Sequence, residues 1–246
     1  MPHVTVHDDT LDLESPVLVE GLPGVGLVGK LATDHIVDTL EMTHYASCLC
    51  EGLPDVPVYH GGDSAVAPPV RIYADEDRDL LALQSDVPVS TSEADCFAEC
   101  LTEWLVAQSA TPLYLSGLPA EKEEGRPALH GIATGGADHH LTDHDIAPPG
   151  HDGLISGPTG SLLYQAYRDD VAALGLVVQA SKDFPDPEAA RVLIVDAINP
   201  IAGTDVPTAD LAEQAEEVAE ARQELAERMG QASEESSQAQ PLGMFQ

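Results

Sequence analysis

The chain has 246 residues, enough for one α/β domain with an appendage or for two small domains. Its 43 Asp+Glu face only 10 Lys+Arg, a formal charge of −33, which argues against nucleic acid and anionic membrane as partners. Such acidity can accompany disorder, but a hydrophobic fraction of 43% and periodic apolar segments indicate a folded body inside an acidic shell.

Residues 1–14 are acidic and irregular, with a first strand expected at His3–His7. Met1–Thr10 has neither a basic start nor an apolar core, so no signal peptide is read there. The longest apolar runs, such as Ala172–Ala180, suit buried strands and fall short of membrane-spanning length. A cytoplasmic protein is the expectation.

Val17–Glu20 reads as a short buried strand, followed by a glycine-rich turn and a helix from about Leu27. Glycines stand at Gly21, Gly24, Gly26 and Gly29, and Gly24-Val-Gly26-Leu-Val-Gly29 fits the G-x-G-x-x-G string. Two readings compete. Backbone N–H groups at the helix start could cradle a phosphate. Alternatively, the glycines only permit a tight turn and close packing of the helix on the sheet. The structural reading is preferred on three grounds. Pro23 removes a donor, Val25, Leu27 and Val28 fill the other positions, and Glu51 lies far along to hold a ribose.

Tyr45–Cys50 is the next expected strand; Ser64–Tyr73 and Leu80–Gln84 then form a hairpin, with Pro68 and Pro69 at its edge or before it. Ser90-Thr-Ser-Glu93 reads as a capping box opening a helix with Phe97, Leu101, Trp104 and Leu105 on its core face. Cys48 and Cys50 share one face of a strand, and Cys96 and Cys100 one face of a helix. Both pairs are expected as buried thiols, since disulfides are uncommon in a cytosolic chain.

Strands follow at Thr111–Ser116 and Ala128–Thr134, separated by a charged turn at Glu121–Pro127. The stretch from Asp138 to Asp145 holds His139, His140 and His144 among carboxylates, with His151 beyond; it is expected as a solvated loop in preference to a metal site. Gly153–Ser156, then Gly157-Pro-Thr-Gly160, then Ser161–Ala173 repeats the order strand, glycine turn, helix, with Pro158 in the first turn and Thr159 able to cap. Leu176–Ala180 is a core strand, and Asp186-Pro-Glu188 opens a helix reaching about Ile198. Strands alternating with helices predict a mixed, mostly parallel sheet covered on both faces.

Ala209–Met229 has a different character, polar and Ala/Glu-rich, with a weak heptad seam through Leu211, Ala215, Val218, Leu225 and Met229. It is too short to stand alone and is expected to pack on a partner subunit or on the domain. A Ser/Gln/Glu linker follows, yet the chain ends in Met244-Phe245-Gln246, two large apolar groups beside a carboxylate. That end reads either as a frayed terminus or as a tethered recognition peptide.

Together, Gly21-Leu-Pro-Gly-Val-Gly-Leu-Val-Gly29, Gly153-Leu-Ile-Ser-Gly-Pro-Thr-Gly160 and the C-terminal helix resemble the archaeal and bacterial relatives of proteasome assembly chaperone 2. The resemblance runs over most of Val17–Met229. It implies a three-layer αβα sandwich similar to the phosphorylase/hydrolase type, homo-oligomers, no catalytic centre and no cofactor. It also makes the glycine turns (Gly21, Gly24, Gly26, Gly29, Gly157, Gly160) structural. Met244, Phe245 and Gln246 are similar to the hydrophobic–tyrosine–any tripeptide by which some relatives dock on the α-ring of the 20S proteasome, with phenylalanine in the tyrosine place.

The expected layout is an αβα domain over residues 1–207, a C-terminal helix over 208–230, and a flexible tail over 231–246 carrying the docking tripeptide. The expected function is a proteasome assembly chaperone or ATP-independent activator. The alternative is a phosphorylase- or hydrolase-like enzyme with phosphate at Gly21–Gly29 or Gly157–Gly160. It would draw on Ser156, Thr159 or Ser161 and on His35, His44 or His60. The acidic shell is expected to belong to a halophile, because at molar salt screening acts within ~3 Å.

Overall fold

The chain alternates strand and helix, and each strand's side chains divide between two helical layers. The computed structural model describes residues 3–62, 64–120, 125–215 and 217–218. The strands are β1 His3–Val6, β2 Val17–Gly21, β3 Thr43–Leu49, β4 Val58–Tyr59, β5 Val66–Ala67, β6 Val70–Asp75, β7 Leu80–Ser85, β8 Thr111–Pro119, β9 Leu129–Thr134 and β10 Ala173–Ala180. Among the described residues, eight of them form one sheet in the order β1-β3-β6-β7-β2-β8-β10-β9, while β4 and β5 make a separate ribbon. The centre is parallel, through the pairs β7 with β2, β2 with β8 and β8 with β10. Antiparallel pairs complete both sides. This is the mixed sheet expected from the sequence, with its parallel part buried at the middle.

The helices are α1 Val28–Thr39, α2 Ala94–Ala107, α3 Asp138–Asp143, α4 Gly157–Arg168, α5 Pro187–Leu193 and α6 Asn199–Ala202, with a π-turn at Ile194–Ile198 joining the last two. Period two in the strands sorts the core. Val19, Leu113 and Leu176 point to the layer of α1 and α5, with Ile36, Ala190 and Leu193. Leu18, Leu81 and Tyr114 point to the layer of α2 and α4, with Phe97, Leu101 and Leu162. Burying a leucine or phenylalanine contributes roughly 1.5–3 kcal/mol each.

Several local expectations change. The helix after the second glycine turn spans Gly157–Arg168, and residues 152–156 form no strand. Five-residue gaps of this kind are too short for periodicity to type. The capping box does not close: the Ser90 hydroxyl meets that of Ser92 at 2.8 Å, and α2 begins behind Glu93 without a side-chain cap. Asp138–Asp143 is helical where a loop was expected, because Leu141 and Ile146 are drawn onto the core under Gly131.

The cysteines also depart from expectation. Cys50 and Cys100 form a disulfide with their Cα atoms 5.9 Å apart, while Cys48 is a buried thiol and Cys96 an exposed one. The sequence pairs cysteines by proximity along the chain; the fold instead lays α2 over the end of β3.

Residues 209–215 are helical, and Leu211 is buried in the core beside α1 and α5. The His35 ring bonds the Pro207 carbonyl at 2.7 Å, pinning the approach to this helix. Leu225 and Met229 of the heptad seam, the tail 231–246 and the tripeptide Met244, Phe245 and Gln246 lie outside the described residues.

Candidate functional site

The first glycine turn sits at the carboxyl end of β2, between the parallel neighbours β7 and β8. Ligands in open α/β sheets favour this location. The last strand residue before the turn with its side chain in the α2/α4 layer is Glu20, which is wholly buried. Its carboxyl accepts the Leu22 N–H at 2.9 Å and the Leu115 N–H at 3.0 Å. The Thr159 hydroxyl, from the first turn of α4, donates to it at 3.3 Å. Burial pushes the carboxyl pKa up to about 7, against the opposing pull of the Leu115 and Leu22 N–H groups and the Thr159 hydroxyl. Across the strands stands Tyr114, also buried, whose phenol is pushed up by burial and by Glu20. The N–H that opens the turn is thus already met by a carboxyl of the chain itself.

The glycines differ in what surrounds them. A Cβ on Gly21 would fall 2.5 Å from Thr33 Cβ and 2.7 Å from the Leu83 carbonyl, so α1 rests directly on the strand there. Gly26 has φ +63 and lies against Ala180, Ser181 and Asp186; its carbonyl accepts the Asp186 N–H at 2.8 Å. A Cβ on Gly29 would stand 3.3 Å from the carbonyls of Glu20 and Leu22, whereas Gly24 has nothing within 4 Å. In the second turn, Gly157 has φ +72 with open space, and Gly160 lies against the Ile155 carbonyl.

On the opposite face is a second polar centre that periodicity does not reveal. Arg71, 2% exposed, sits opposite Gln84 across β6 and β7. Its guanidinium pairs with Asp86 at 2.7 Å and donates to Gln84 at 2.9 Å, to the Pro68 carbonyl at 2.7 Å and to the Tyr73 hydroxyl at 3.1 Å. Lys30 pairs with Asp34 at 2.9 Å, and Gln84 donates to Asp34 at 2.8 Å. The available signal was a lone arginine inside an apolar strand of a chain with few cations.

The candidate nucleophiles and bases do not converge. Thr159 serves Glu20, the Ser161 hydroxyl donates to Asp95 at 2.9 Å, and Ser156 stands at the start of α4 without a side-chain cap bond. His35 is held by Pro207, His44 by Ser47 at 3.2 Å, and His60 is exposed beyond β4. Glu51 follows β3, which β6 and β7 separate from β2, so no ribose-holding acid flanks the turn. The His139 and His140 rings lie tilted against each other, centres 4.1 Å apart. Among the described residues no three His, Cys, Asp or Glu side chains gather where a metal could be held.

The model of the PAC2 family matches residues 18–226 of this chain. The chain belongs to the PAC2 family. An uncharacterised protein of Methanocaldococcus jannaschii is 26% identical over 211 residues, covering 85% of this chain and 84% of that protein. The fold is similar to that of PbaA from Pyrococcus furiosus, an archaeal homologue of proteasome-assembly chaperone. That match has a TM-score of 0.75 and 24% identity, and covers 94% of this chain and 99% of the other. PbaB of the same organism, an archaeal proteasome activator, matches with a TM-score of 0.77 and 20% identity over 92% of this chain and 98% of its own.

The PAC2 match takes in both glycine turns, Glu20 and the buried start of the C-terminal helix, and stops short of Met244, Phe245 and Gln246. No helix among the described residues is long and apolar enough to cross a membrane.

Proposed function

We propose that this PAC2 protein is a non-enzymatic, homo-oligomeric proteasome assembly chaperone or ATP-independent proteasome activator that docks on the 20S α-ring through Met244, Phe245 and Gln246. The observation that carries the reading is the family match over residues 18–226. A proteasome-assembly chaperone homologue and a proteasome activator among the proteins of similar fold support it. The αβα body, residues 1–207, supplies the oligomer; the helix, 208–230, and the tail, 231–246, extend the docking end. Several tails on one oligomer bind by avidity, so each can be weak. In high salt the buried aromatic of Phe245 matters more than the screened carboxylate.

The glycine turns serve packing in this reading. The Glu20 carboxyl already takes the Leu22 N–H, so an entering phosphate finds that donor occupied, which disfavours the phosphorylase-like alternative. A phosphate or nucleotide that raises the melting temperature would restore it. The acidic shell is that of a protein adapted to concentrated salt inside the cell. A melt that does not move between low and molar salt would remove this part.

The deciding experiment is a pull-down with purified 20S particles in molar salt, full-length chain against a chain ending at Gly243. Loss of co-purification with the oligomer intact is the expected outcome. Unchanged co-purification refutes the docking role of the tail.

A further inference from the structure

The strand β1 is four residues long, stands at one end of the sheet and is paired there with β3. Val4 and Val6 pack against the core on the α2 side, which leaves Thr5 and His7 to the other face. The His7 N–H extends the ladder by donating to the Tyr45 carbonyl at 2.8 Å. Its ring reaches Ser47 of β3, 40 positions away, with Nε2 2.7 Å from the Ser47 Oγ. The His44 Nε2 lies 3.2 Å from the same oxygen. The two rings are tilted against each other with centres 4.9 Å apart, and Ser47 is buried. One buried hydroxyl thus stands between two imidazoles, one on the edge strand's end and one on its neighbour.

A serine hydroxyl has one proton to give. With both rings neutral, one Nε2–H donates to the Ser47 Oγ and the Ser47 O–H donates to the other Nε2. A first added proton keeps this chain, because the charged ring is the donor and the neutral ring the acceptor. A second proton breaks it. Both Nε2 atoms then carry hydrogen, the Ser47 proton loses its acceptor, and two cations face each other. The surroundings add to that cost. Arg71 stands opposite Ser47 on β6 as a further cation, and its partner Asp86 is already taken up by it. Asp8, next to His7, accepts from Thr10; Asp75, beyond Tyr73 on β6, is held by Arg78. Burial holds the His44 imidazole below its ordinary pKa, and the charges of His7 and Arg71 push the same way against a backbone bond to Ala46.

We propose that His7, Ser47 and His44 form a proton-operated latch: closed, it holds the edge strand β1 on β3, and in mild acid the second proton opens it and releases β1. The sign follows from linkage. His44 binds its proton less tightly in the folded state, so the latch contributes fully above the ordinary imidazole value of 6.5 and is lost as pH falls below it. The release is local. Glu76 accepts the Asp12 N–H, and Asp79 the Glu14 and Ser15 N–H groups, so the segment after β1 stays tied to the β6–β7 hairpin. Acid also lowers the net negative charge and relieves self-repulsion across the whole chain. Loosening confined to β1 runs against that trend, which makes it easy to tell from general unfolding.

The test is amide hydrogen exchange of the full-length chain in molar salt at about pH 8 and about pH 5, corrected for the pH dependence of intrinsic exchange. Amides of His3–His7 are expected to lose about tenfold in protection at the lower pH, while those of the central strand β8 keep or gain theirs. His7→Gln and His44→Gln each retain an amide that can bond Ser47 and cannot take up a proton, so each is expected to hold β1 at both pH values. Ser47→Ala is expected to weaken β1 at the higher pH and to flatten the response. His139→Gln/His140→Gln, a histidine pair elsewhere in the fold, is expected to respond as wild type does. Wild-type β1 protection that does not change with pH overturns the latch, and this comparison stands whether or not a variant folds. A full response that survives in His7→Gln, His44→Gln or Ser47→Ala overturns it as well, as does one abolished by the His139/His140 variant.

Discussion

The two glycine-rich turns look alike in sequence, each a short glycine string leading into a helix, but different things press on them. In the first, Gly21 lies under Thr33 of α1 and the Leu83 carbonyl of β7, and Gly26 against Ala180, Ser181 and Asp186. Gly29 stands over the carbonyls of Glu20 and Leu22. Most of these neighbours are distant in sequence and come from several elements. In the second, Gly160 meets Ile155, five residues back, and Gly157 meets nothing. The first turn joins layers; the second is mostly a local bend. They touch the same group, because Leu22 of one and Thr159 of the other both hydrogen-bond Glu20. A glycine string therefore does not by itself report a ligand site: what occupies the space decides.

The strongest handle on this difference is Glu20 itself. Its pKa is raised to about 7 in the folded protein from 4.5, so the folded state binds the proton more tightly. The associated stability is fully present below pH 4.5 and is lost as pH rises through about 7. The free-energy gap between wild type and Glu20→Gln, read from denaturant melts, is expected to shrink by about 3 kcal/mol from acid to pH 8. A gap independent of pH would mean that burial does not tighten the carboxyl's hold on its proton in the folded state. Gly21→Ala comes next. Its Cβ must displace Thr33 or β7, at a cost of ~1–3 kcal/mol in the same melts. A neutral result would show that α1 does not rest on the strand.

Thr159→Val tests the link between the turns. Loss of its hydroxyl is expected to cost about 1 kcal/mol at pH 8, where Glu20 is ionised, and less at pH 5. An equal loss at both values would assign Thr159 to packing alone. Gly24→Ala is expected to stay within about 0.5 kcal/mol, because its surroundings are empty and its φ of −144 suits alanine. If inorganic phosphate raised the wild-type melting temperature and not that of Gly24→Ala, the turn would be a ligand site after all.

Much of the fold was legible in the residues. Val17–Glu20, Leu80–Gln84 and Leu176–Ala180 are β-branched or leucine-rich runs between turn residues, and all are central strands. Asp186 before Pro187 signals a helix start, and the Asp186 side chain does accept from the Ala189 N–H. The candidate site was legible only in outline. The glycines mark the turn, but no local pattern says that Glu20 points inward, toward Thr159 139 positions away. Arg71 stood out as a lone cation in an apolar strand, but its partners did not, since Asp86, Gln84 and Lys30 gather there only once β6, β7 and α1 are assembled.

The sequence by itself determined the alternation of strands and helices, the acidic shell and the positions of the turns, because those follow from periodicity, composition and backbone freedom over a few residues. Tertiary structure alone decided that Cys50 reaches Cys100 and that Glu20 fills the mouth of the first turn. Each of these is a contact between residues far apart in the chain. Long-range contacts are set by how whole layers pack, and no short window of sequence carries that information.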